Sequence, residues 1–195
     1  MGKTIRGNGR HFPIVHFPKI SVITVCLNAQ EFIEQCMQSV FAQTFNDFEY
    51  VIIDGGSTDN TVDIIKKYQN KISYWHSRPD RGLADAFNLG VQNSSGQWLL
   101  FLNSDDYFAS SNALQDMVVH LDKNPDADVI FGQIQIITRE QLSKKIGCPY
   151  GQAINWKKFC RKDTLPHQAA FSPRSFYERI GPFSEDFLIA VDYEH

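Results

Sequence analysis

The chain has 195 residues, of which 43% are hydrophobic and 13% aromatic, and its formal net charge is -3. This length suits one α/β domain with a sizeable core and is short for two. The weak negative charge gives no sign of a nucleic-acid-binding surface, and no stretch approaches the roughly 20 apolar residues of a membrane span. We therefore expect a single globular domain.

Glycines and prolines interrupt any periodic pattern in the first 18 residues, so we expect residues 1–18 to form a flexible N-terminal arm. The arm lacks the unbroken apolar core of a signal peptide. The cysteines show neither CxxC spacing nor paired histidines downstream, which argues against a zinc or redox motif. We expect buried, reduced thiols and a cytoplasmic location.

Strand patterns alternate with helix patterns from residue 19 onward. Apolar, β-branched runs at 20–27, 48–53 and 98–102 predict strands buried on both faces, and 72–76 predicts a shorter one. Asn28 is a candidate N-cap for the first helix. Apolar residues at helical spacing predict four helices. They are Ile33, Cys36 and Val40; Val62, Ile65 and Tyr68; Leu83, Ala86 and Phe87; and Leu114, Met117 and Leu121.

The pattern changes in the second half of the chain. A strand is predicted at 129–131, polar and apolar residues alternate over 133–137, and 145–150 is a candidate pairing partner. Strand-helix units with short connections favour a parallel sheet with helices on both faces. The sequence therefore predicts an α/β fold with a mainly parallel sheet and a mixed or antiparallel second half.

Two adjacent carboxylates follow the strand at 98–102, in the turn NSDD at 103–106. Ionised aspartates at the rim of a sheet are costly to desolvate unless a cation compensates, and Mg²⁺ and Mn²⁺ prefer oxygen ligands. Asp105 and Asp106 are thus candidate metal ligands. An acidic turn that opens into solvent and caps the next helix explains the same residues equally well.

A second polar turn, DGGSTD at 54–59, follows the strand at 48–53. Its small residues allow close approach to backbone, and a helix N-terminus favours anions, which suits a nucleotide. A plain helix-capping turn is the alternative. The Walker motif and GxGxxG are both missing from the sequence. Because ligands of parallel sheets bind beyond the carboxyl ends of the strands, we expect both turns to face one crevice.

The order of four motifs resembles glycosyltransferase family 2 with the GT-A fold. They are ISVITV at 20–25, DGGSTD at 54–59, GLADAFNLG at 82–90 and NSDD at 103–106. The resemblance covers residues 19–195. It implies a Rossmann-like GT-A sheet, and transfer of a sugar from a nucleotide diphosphate donor to an acceptor hydroxyl, with inversion at the anomeric carbon. It also implies polysaccharide or cell-surface glycan biosynthesis and Mg²⁺ or Mn²⁺ as the cofactor.

The same resemblance assigns roles to individual residues. Asp106 is the direct metal ligand, and Asp105 contacts the ribose or the metal. Asp54 lies near the nucleobase. The other donor-side residues that it implies are Val25, Arg81 and Asp85. The chain departs from the family at Gly55, where many members carry a second acid, so its contacts to the base are expected to differ.

Two downstream segments, PHQA at 166–169 and GPFSEDFLIAVDYE at 181–194, resemble acceptor-side segments of the family. Asp192 matches the catalytic base, which must remove the proton of a poorly nucleophilic hydroxyl. Asp186 and Glu185 are the alternatives for that role. His167 is either a polar group that touches the diphosphate or acceptor, or a structural histidine.

The family ordinarily continues beyond the position of His195, so we expect this chain to be a fragment with an incomplete acceptor half. The expected division is a donor half at 19–106 and an acceptor half at 107–195. The implied partners are a nucleotide diphosphate sugar and a saccharide or lipid-linked saccharide, with peripheral association at the inner face of a membrane.

Two alternatives belong to other functional classes. A non-catalytic nucleotide-sugar-binding domain would share the donor site, and the expected truncation makes it plausible. A nucleotidyltransferase would share the sheet and the carboxylates but needs a glycine-rich, basic loop after the first strand. The sequence there, CLNAQE at 26–31, argues against the second alternative.

Overall fold

The computed structural model describes residues 16–137 and 167–184, together with the backbone of 143–147. The strands are β1 (Ile20–Cys26), β2 (Phe48–Asp54), β3 (Tyr74–Ser77), β4 (Trp98–Phe101), β5 (Ile130–Phe131), β6 (Gln133–Ile137), β7 (Ser143–Gly147) and β8 (Ala170–Pro173). The helices are α1 (Ile33–Phe41), α2 (Thr61–Lys67), α3 (Leu83–Gln92), α4 (Ala113–Lys123) and α5 (Arg174–Ile180). Two 3₁₀ turns cover Gln69–Lys71 and His167–Ala169.

Six strands form one sheet in the order β3-β2-β1-β4-β8-β5. Strands β3, β2, β1 and β4 are mutually parallel, whereas β8 runs antiparallel to β4 and β5. Strands β6 and β7 form a separate antiparallel pair. The predicted α/β class, with a parallel first half and a mixed second half, is confirmed. The register pairs Cys26 with Asp54 and Asp54 with Ser77, so three strands end together at one edge.

The core lies on both faces of the sheet because every residue of β1 is buried. On one face, Ile20 and Val22 pack with the apolar stripe of α1, which contains Ile33, Cys36, Met37 and Val40. On the other, Ile23 and Val25 pack against α3. Each such side chain, when fully buried, contributes about 1.5–3 kcal/mol to the free energy of unfolding.

Helix α3 approaches β1 closely at Gly90. A Cβ at that position would lie 2.5 Å from Cγ2 of Ile23, so no larger residue fits without displacement. Beside this contact, Phe87 stacks on Phe101 with ring centroids 4.6 Å apart, and Phe183 and Tyr177 complete the aromatic cluster. The segment that follows α5 is therefore packed against the same helix.

The larger differences from the sequence predictions concern the bounds of β3 and β7 and two elements that were not predicted. Strand β3 begins at Tyr74 rather than at 72, because the 3₁₀ turn Gln69–Lys71 ends only at Ile72. Strand β7 covers Ser143–Gly147 rather than 145–150, although it pairs with β6 as expected. Strand β8 and helix α5 were not predicted. The Pro173 that ends β8 is unusual in an interior strand, which masks the strand pattern.

Asn28 does not cap the first helix, contrary to the sequence prediction. Helix α1 begins only at Ile33, with Phe32 at the capping position and no side-chain hydrogen bond there. Asn28 instead has a left-handed backbone, with φ of 52°, which asparagine tolerates better than most residues. Its side chain therefore serves the turn after β1 rather than the helix.

Cys26 and Cys36 are buried free thiols, as predicted, and the remaining cysteines, Cys148 and Cys160, lie outside the described residues. No helix within 16–137 or 167–184 is long and apolar enough to cross a membrane. Of the arm at 1–18, the structure describes only the last three residues.

Candidate functional site

The carboxyl ends of β1, β2, β3 and β4 lie along one edge of the sheet, where a ligand of a parallel α/β sheet binds. The turn DGGSTD follows β2 at this edge, and the turn NSDD follows β4. The antiparallel strand β8 begins at the same edge, so the 3₁₀ turn His167–Ala169 joins it. The expected crevice is therefore formed from both halves of the chain.

The turns after β1 and β2 are interlocked by side-chain hydrogen bonds. The Asn28 backbone N–H donates to Ser57 Oγ at 2.7 Å, and the Thr58 N–H donates to Asn28 Oδ1 at 2.9 Å. A third hydrogen bond joins the same two segments, since the Gln30 N–H donates to Asp59 Oδ2 at 3.1 Å. Because each bond joins segments about 30 residues apart in the chain, the polar residues of DGGSTD hold the two turns together.

Asp54 lies at the end of β2, as expected, but its side chain is completely buried. Oδ2 accepts hydrogen bonds from the N–H groups of Gly56 and Ser57 at 3.1 and 2.9 Å and from Ser77 Oγ at 2.6 Å. Oδ1 accepts from Ser57 Oγ and from Cys26 Sγ. A carboxylate has about four lone-pair sites, so this one has no capacity left for a ligand.

The carboxylates of Asp105 and Asp106 border a cavity of about 410 Å³. The end of β4 forms one wall with Leu102 and Tyr107, strand β6 forms another, and Gln168 and Ala169 close the side near β8. A cavity of this size suits a small organic ligand. The sequence did not predict the walls formed by β6 and β8, since they depend on pairing between distant segments.

Burial and, to a smaller extent, the neighbouring negative charge of Asp105 together raise the pKa of Asp106 from 3.8 to about 6. Both causes would be relieved by a cation. Within 16–137 and 167–184 there is no cluster of three or more histidine, cysteine or acidic side chains placed to hold a metal. The pair fits a divalent ion that takes its other ligands from phosphate oxygens and water, as Mg²⁺ commonly does.

His167 lies beside the same turn. Its Nε2 atom is 3.3 Å from Nδ2 of Asn103, which donates to it when the ring proton is on Nδ1. Oδ1 of Asn103 is buried and has no hydrogen-bond partner within the described parts of the chain. The structure thus brings His167 to the end of β4, where it contacts Asn103, two residues before Asp105.

Arg81 and Asp85 form a local pair at the start of α3. Asp85 Oδ1 accepts from Arg81 Nη2 at 2.9 Å, and Oδ2 accepts from the Arg81 backbone N–H at 3.1 Å. These hydrogen bonds hold the pKa of Asp85 below its ordinary value. Asp85 therefore fixes the loop before α3, while the guanidinium group is largely exposed.

One predicted donor-side residue, Val25, does not place its side chain on the rim. The Val25 side chain is 7% exposed and packs in the core beneath α3. Asp192, together with its alternatives Asp186 and Glu185, lies outside the described residues.

One residue that the sequence did not single out is Asp80. An ideal Cβ at Gly55 would lie 2.6 Å from Oδ2 of Asp80, so the Asp80 carboxylate fills the space beside the end of β2. The signal in the sequence was the spacing of Asp80 and Gly82, which is typical of an Asx turn. The partner across the crevice was not visible from spacing alone.

A model of glycosyl transferase family 2 matches residues 21–179. A glycosyltransferase of PGL/p-HBAD biosynthesis from Mycobacterium tuberculosis is 29% identical over 180 residues, which are 91% of this chain and 68% of the relative.

Among solved structures, Staphylococcus aureus TarS 1–349 in complex with UDP superposes with a TM-score of 0.68 at 22% identity, covering 89% of this chain and 52% of that one. Mannosyltransferase PcManGT from Pyrobaculum calidifontis, in complex with GDP-Man and Mn²⁺, gives 0.63 at 19% identity, covering 88% and 49%. These likenesses show the GT-A fold. The chain spans about half the length of each of these two solved structures.

Proposed function

The chain belongs to glycosyltransferase family 2, and we propose that it transfers a sugar from a nucleotide diphosphate sugar to an acceptor hydroxyl with inversion at the anomeric carbon. The product would be a polysaccharide or cell-surface glycan. The observation that carries the proposal is the carboxylate pair Asp105 and Asp106 at the end of β4, on the rim of a cavity of about 410 Å³. It lies at the edge where a parallel sheet binds nucleotides.

We expect Asp106 to ligate Mg²⁺ or Mn²⁺ directly and Asp105 to contact the cation or the ribose. Asp106 is partly buried whereas Asp105 is exposed, which supports assigning the direct contact with the metal to Asp106. A cation held there would neutralise the charge of the departing diphosphate. The two side chains would orient the donor so that the anomeric carbon faces the acceptor.

The other predicted donor-side residues would act indirectly, by fixing the backbone around the donor site. Asp54 fixes the turn after β2, Asp85 fixes the loop that carries Arg81, and Val25 belongs to β1, which pairs with β2. A rigid rim lowers the entropy cost of binding, since fewer side chains must be ordered when the donor arrives.

On the acceptor side, Asp192 would take the proton of the attacking hydroxyl as the new glycosidic bond forms and the bond to the diphosphate breaks. His167 would contact the diphosphate or the acceptor from the turn before β8. The acceptor would be a saccharide or a lipid-linked saccharide, bound by the half at 107–195 and oriented toward the donor half at 19–106.

Calorimetric titration with UDP and GDP, with and without Mn²⁺, tests the donor site. We expect binding that requires Mn²⁺ and that Asp106→Asn abolishes, whereas Asp116→Asn, an exposed acid on α4, leaves it unchanged. If Asp106→Asn bound the nucleotide as tightly as the parent, the metal site would be wrong.

Transfer to an acceptor is tested separately, because the chain covers only 52% of the TarS structure. Release of nucleotide diphosphate from a nucleotide sugar that depends on both Mn²⁺ and Asp192 would support an enzyme. Mn²⁺-dependent binding without transfer would favour a nucleotide-sugar-binding domain, which the partial coverage makes the second candidate.

A further inference from the structure

Asp80, in the loop after β3, places its carboxylate beside the end of β2. Its carboxylate fills the position of a side chain at Gly55: an ideal Cβ there would lie 2.6 Å from Oδ2, 3.2 Å from Cγ and 3.4 Å from Oδ1. An aspartate side chain at 55 would place its own Cγ only about 1.5 Å beyond Cβ. The loop therefore supplies a carboxylate at the strand end from 25 residues further along the chain.

Asp54 cannot take this role itself. Its side chain is fully buried, and its two oxygens already accept five hydrogen bonds from neighbouring residues. A ligand atom would have to displace one of these donors, leaving a buried group unpaired at substantial cost.

The loop holds Asp80 in a defined orientation. Oδ1 accepts from the Gly82 N–H at 2.9 Å, and the next residue, Arg81, is tied to Asp85. Gly56, with φ of 89°, lets the loop approach, since a Cβ there would lie 2.8 Å from the Pro79 nitrogen. Oδ2 has no hydrogen-bond partner among the residues that the structure describes, so it remains an available acceptor.

We propose that Asp80 determines nucleobase selectivity by accepting, through Oδ2, the ring N–H of uracil or guanine. This inference rests on the proposed function, because it assumes a nucleotide donor at this edge. A carboxylate only accepts hydrogen bonds. Uracil and guanine present an N–H at the centre of their pairing edge, whereas cytosine and adenine present an unprotonated nitrogen that a carboxylate repels.

The test is calorimetric titration of the chain with UDP, GDP, CDP and ADP in the presence of Mn²⁺. The parent is expected to bind UDP or GDP more tightly than CDP and ADP. Asp80→Asn keeps the hydrogen bond to Gly82 but loses the charge, and should weaken UDP and GDP binding by roughly tenfold or more. It should leave CDP and ADP binding unchanged or tighter.

A double variant, Gly55→Asp with Asp80→Gly, separates selectivity from damage to the loop. Gly55 has no left-handed backbone, so a side chain is allowed there once the Asp80 carboxylate is gone. We expect this variant to regain preference for UDP or GDP relative to Asp80→Gly alone. Thermal unfolding of each variant would establish that it is folded.

Equal weakening of all four nucleotides by Asp80→Asn, or no weakening at all, would overturn the proposal while leaving the donor site standing. So would a folded double variant that shows no preference. If the parent bound none of the four nucleotides, the proposed function would fail first, and the inference on Asp80 with it.

Discussion

The side-chain amide of Asn88 makes two hydrogen bonds to the backbone of Phe183, in the way that one strand residue pairs with another. Nδ2 donates to the Phe183 carbonyl at 2.9 Å, and Oδ1 accepts the Phe183 N–H at 2.8 Å. The Phe183 ring packs on Phe87 one residue earlier in α3. Helix α3, which begins beside the Arg81–Asp85 pair, thus fixes the segment that follows α5.

Asn88→Ala should lower the free energy of unfolding by about 1–3 kcal/mol, because it removes two partly buried hydrogen bonds to the Phe183 backbone. It should also reduce transfer more than nucleotide binding, since the segment that it releases belongs to the proposed acceptor half. Urea unfolding and parallel binding and transfer assays measure the two effects. Asn93→Ala, which removes only a bond to Leu89 within the helix, is the matched control. Equal losses in both variants would contradict a positioning role.

The affinity for Mn²⁺ should rise between pH 5 and 7, because the cation competes with a proton on Asp106, whose pKa is about 6. Asp105→Asn removes one of the two causes of the raised pKa, so the rise should move to lower pH even if the affinity falls. Titration of Mn²⁺ with nucleotide at several pH values measures the midpoint. An unchanged midpoint in Asp105→Asn would show that the two carboxylates do not interact.

The raised pKa of Asp106 also affects the free energy of unfolding of the metal-free chain, which falls as the pH rises whereas the affinity for Mn²⁺ increases. Between pH 3.8 and about 6 the folded chain keeps a proton on Asp106 that the unfolded chain has released. Asp106 therefore lowers the free energy of unfolding as the pH rises through this interval. Asp106→Asn, which cannot titrate, should remove that part of the pH dependence in urea unfolding. A pH profile identical to the parent's would argue against the shift.

Asp54→Asn should lower the free energy of unfolding by about 2–4 kcal/mol, because an amide nitrogen would face donors that now pair with a carboxylate. Asp63→Asn, on the exposed side of α2, controls for loss of charge. A stable Asp54→Asn variant that had lost nucleotide binding would mean that Asp54 contacts the donor directly. Urea unfolding with and without UDP distinguishes these outcomes.

Gly90→Ala should destabilise the chain by about 1–3 kcal/mol despite the higher helix propensity of alanine, worth about 1 kcal/mol. The new Cβ would lie 2.5 Å from a fully buried atom of Ile23, which has no space to move. Gly132→Ala is the control, since its nearest neighbour would be the flexible end of Met117 at 3.2 Å. Equal stability of the two variants would contradict close packing of α3 on β1.

The parallel half of the sheet was predictable because local patterns dictate it. Strands buried on both faces read as continuous apolar runs, and β1, β2 and β4 have that pattern. Strand β8 was not predictable. It is four residues long, ends in Pro173, and takes its place in the sheet from pairing with β4, more than 70 residues away in sequence.

The site was predictable to the level of which strand ends carry acids, but not of what each acid does. From spacing alone, Asp54 and Asp106 were both acids at strand ends that could contact a ligand. The structure separates them by their surroundings, because Asp54 is surrounded by donors and Asp106 by an open cavity. Asp80 beside Gly55 depends on a contact between loops, which no local pattern encodes. Its carboxylate also occupies the space that a Cβ at position 55 would need.

The interlocked turns after β1 and β2 have a consequence for how donor preference can diverge among relatives. The polar side chains of DGGSTD form hydrogen bonds within and between these two turns. The motif therefore indicates how the turns are held together rather than which nucleotide is bound. The loop at 78–82 contacts these turns through the Arg78 N–H, which donates to the Asp54 carbonyl, and through Pro79 and Asp80, which lie against Gly56 and Gly55. Grafting the loop together with these two glycines is therefore a route by which the proposed donor preference could be changed on the same sheet.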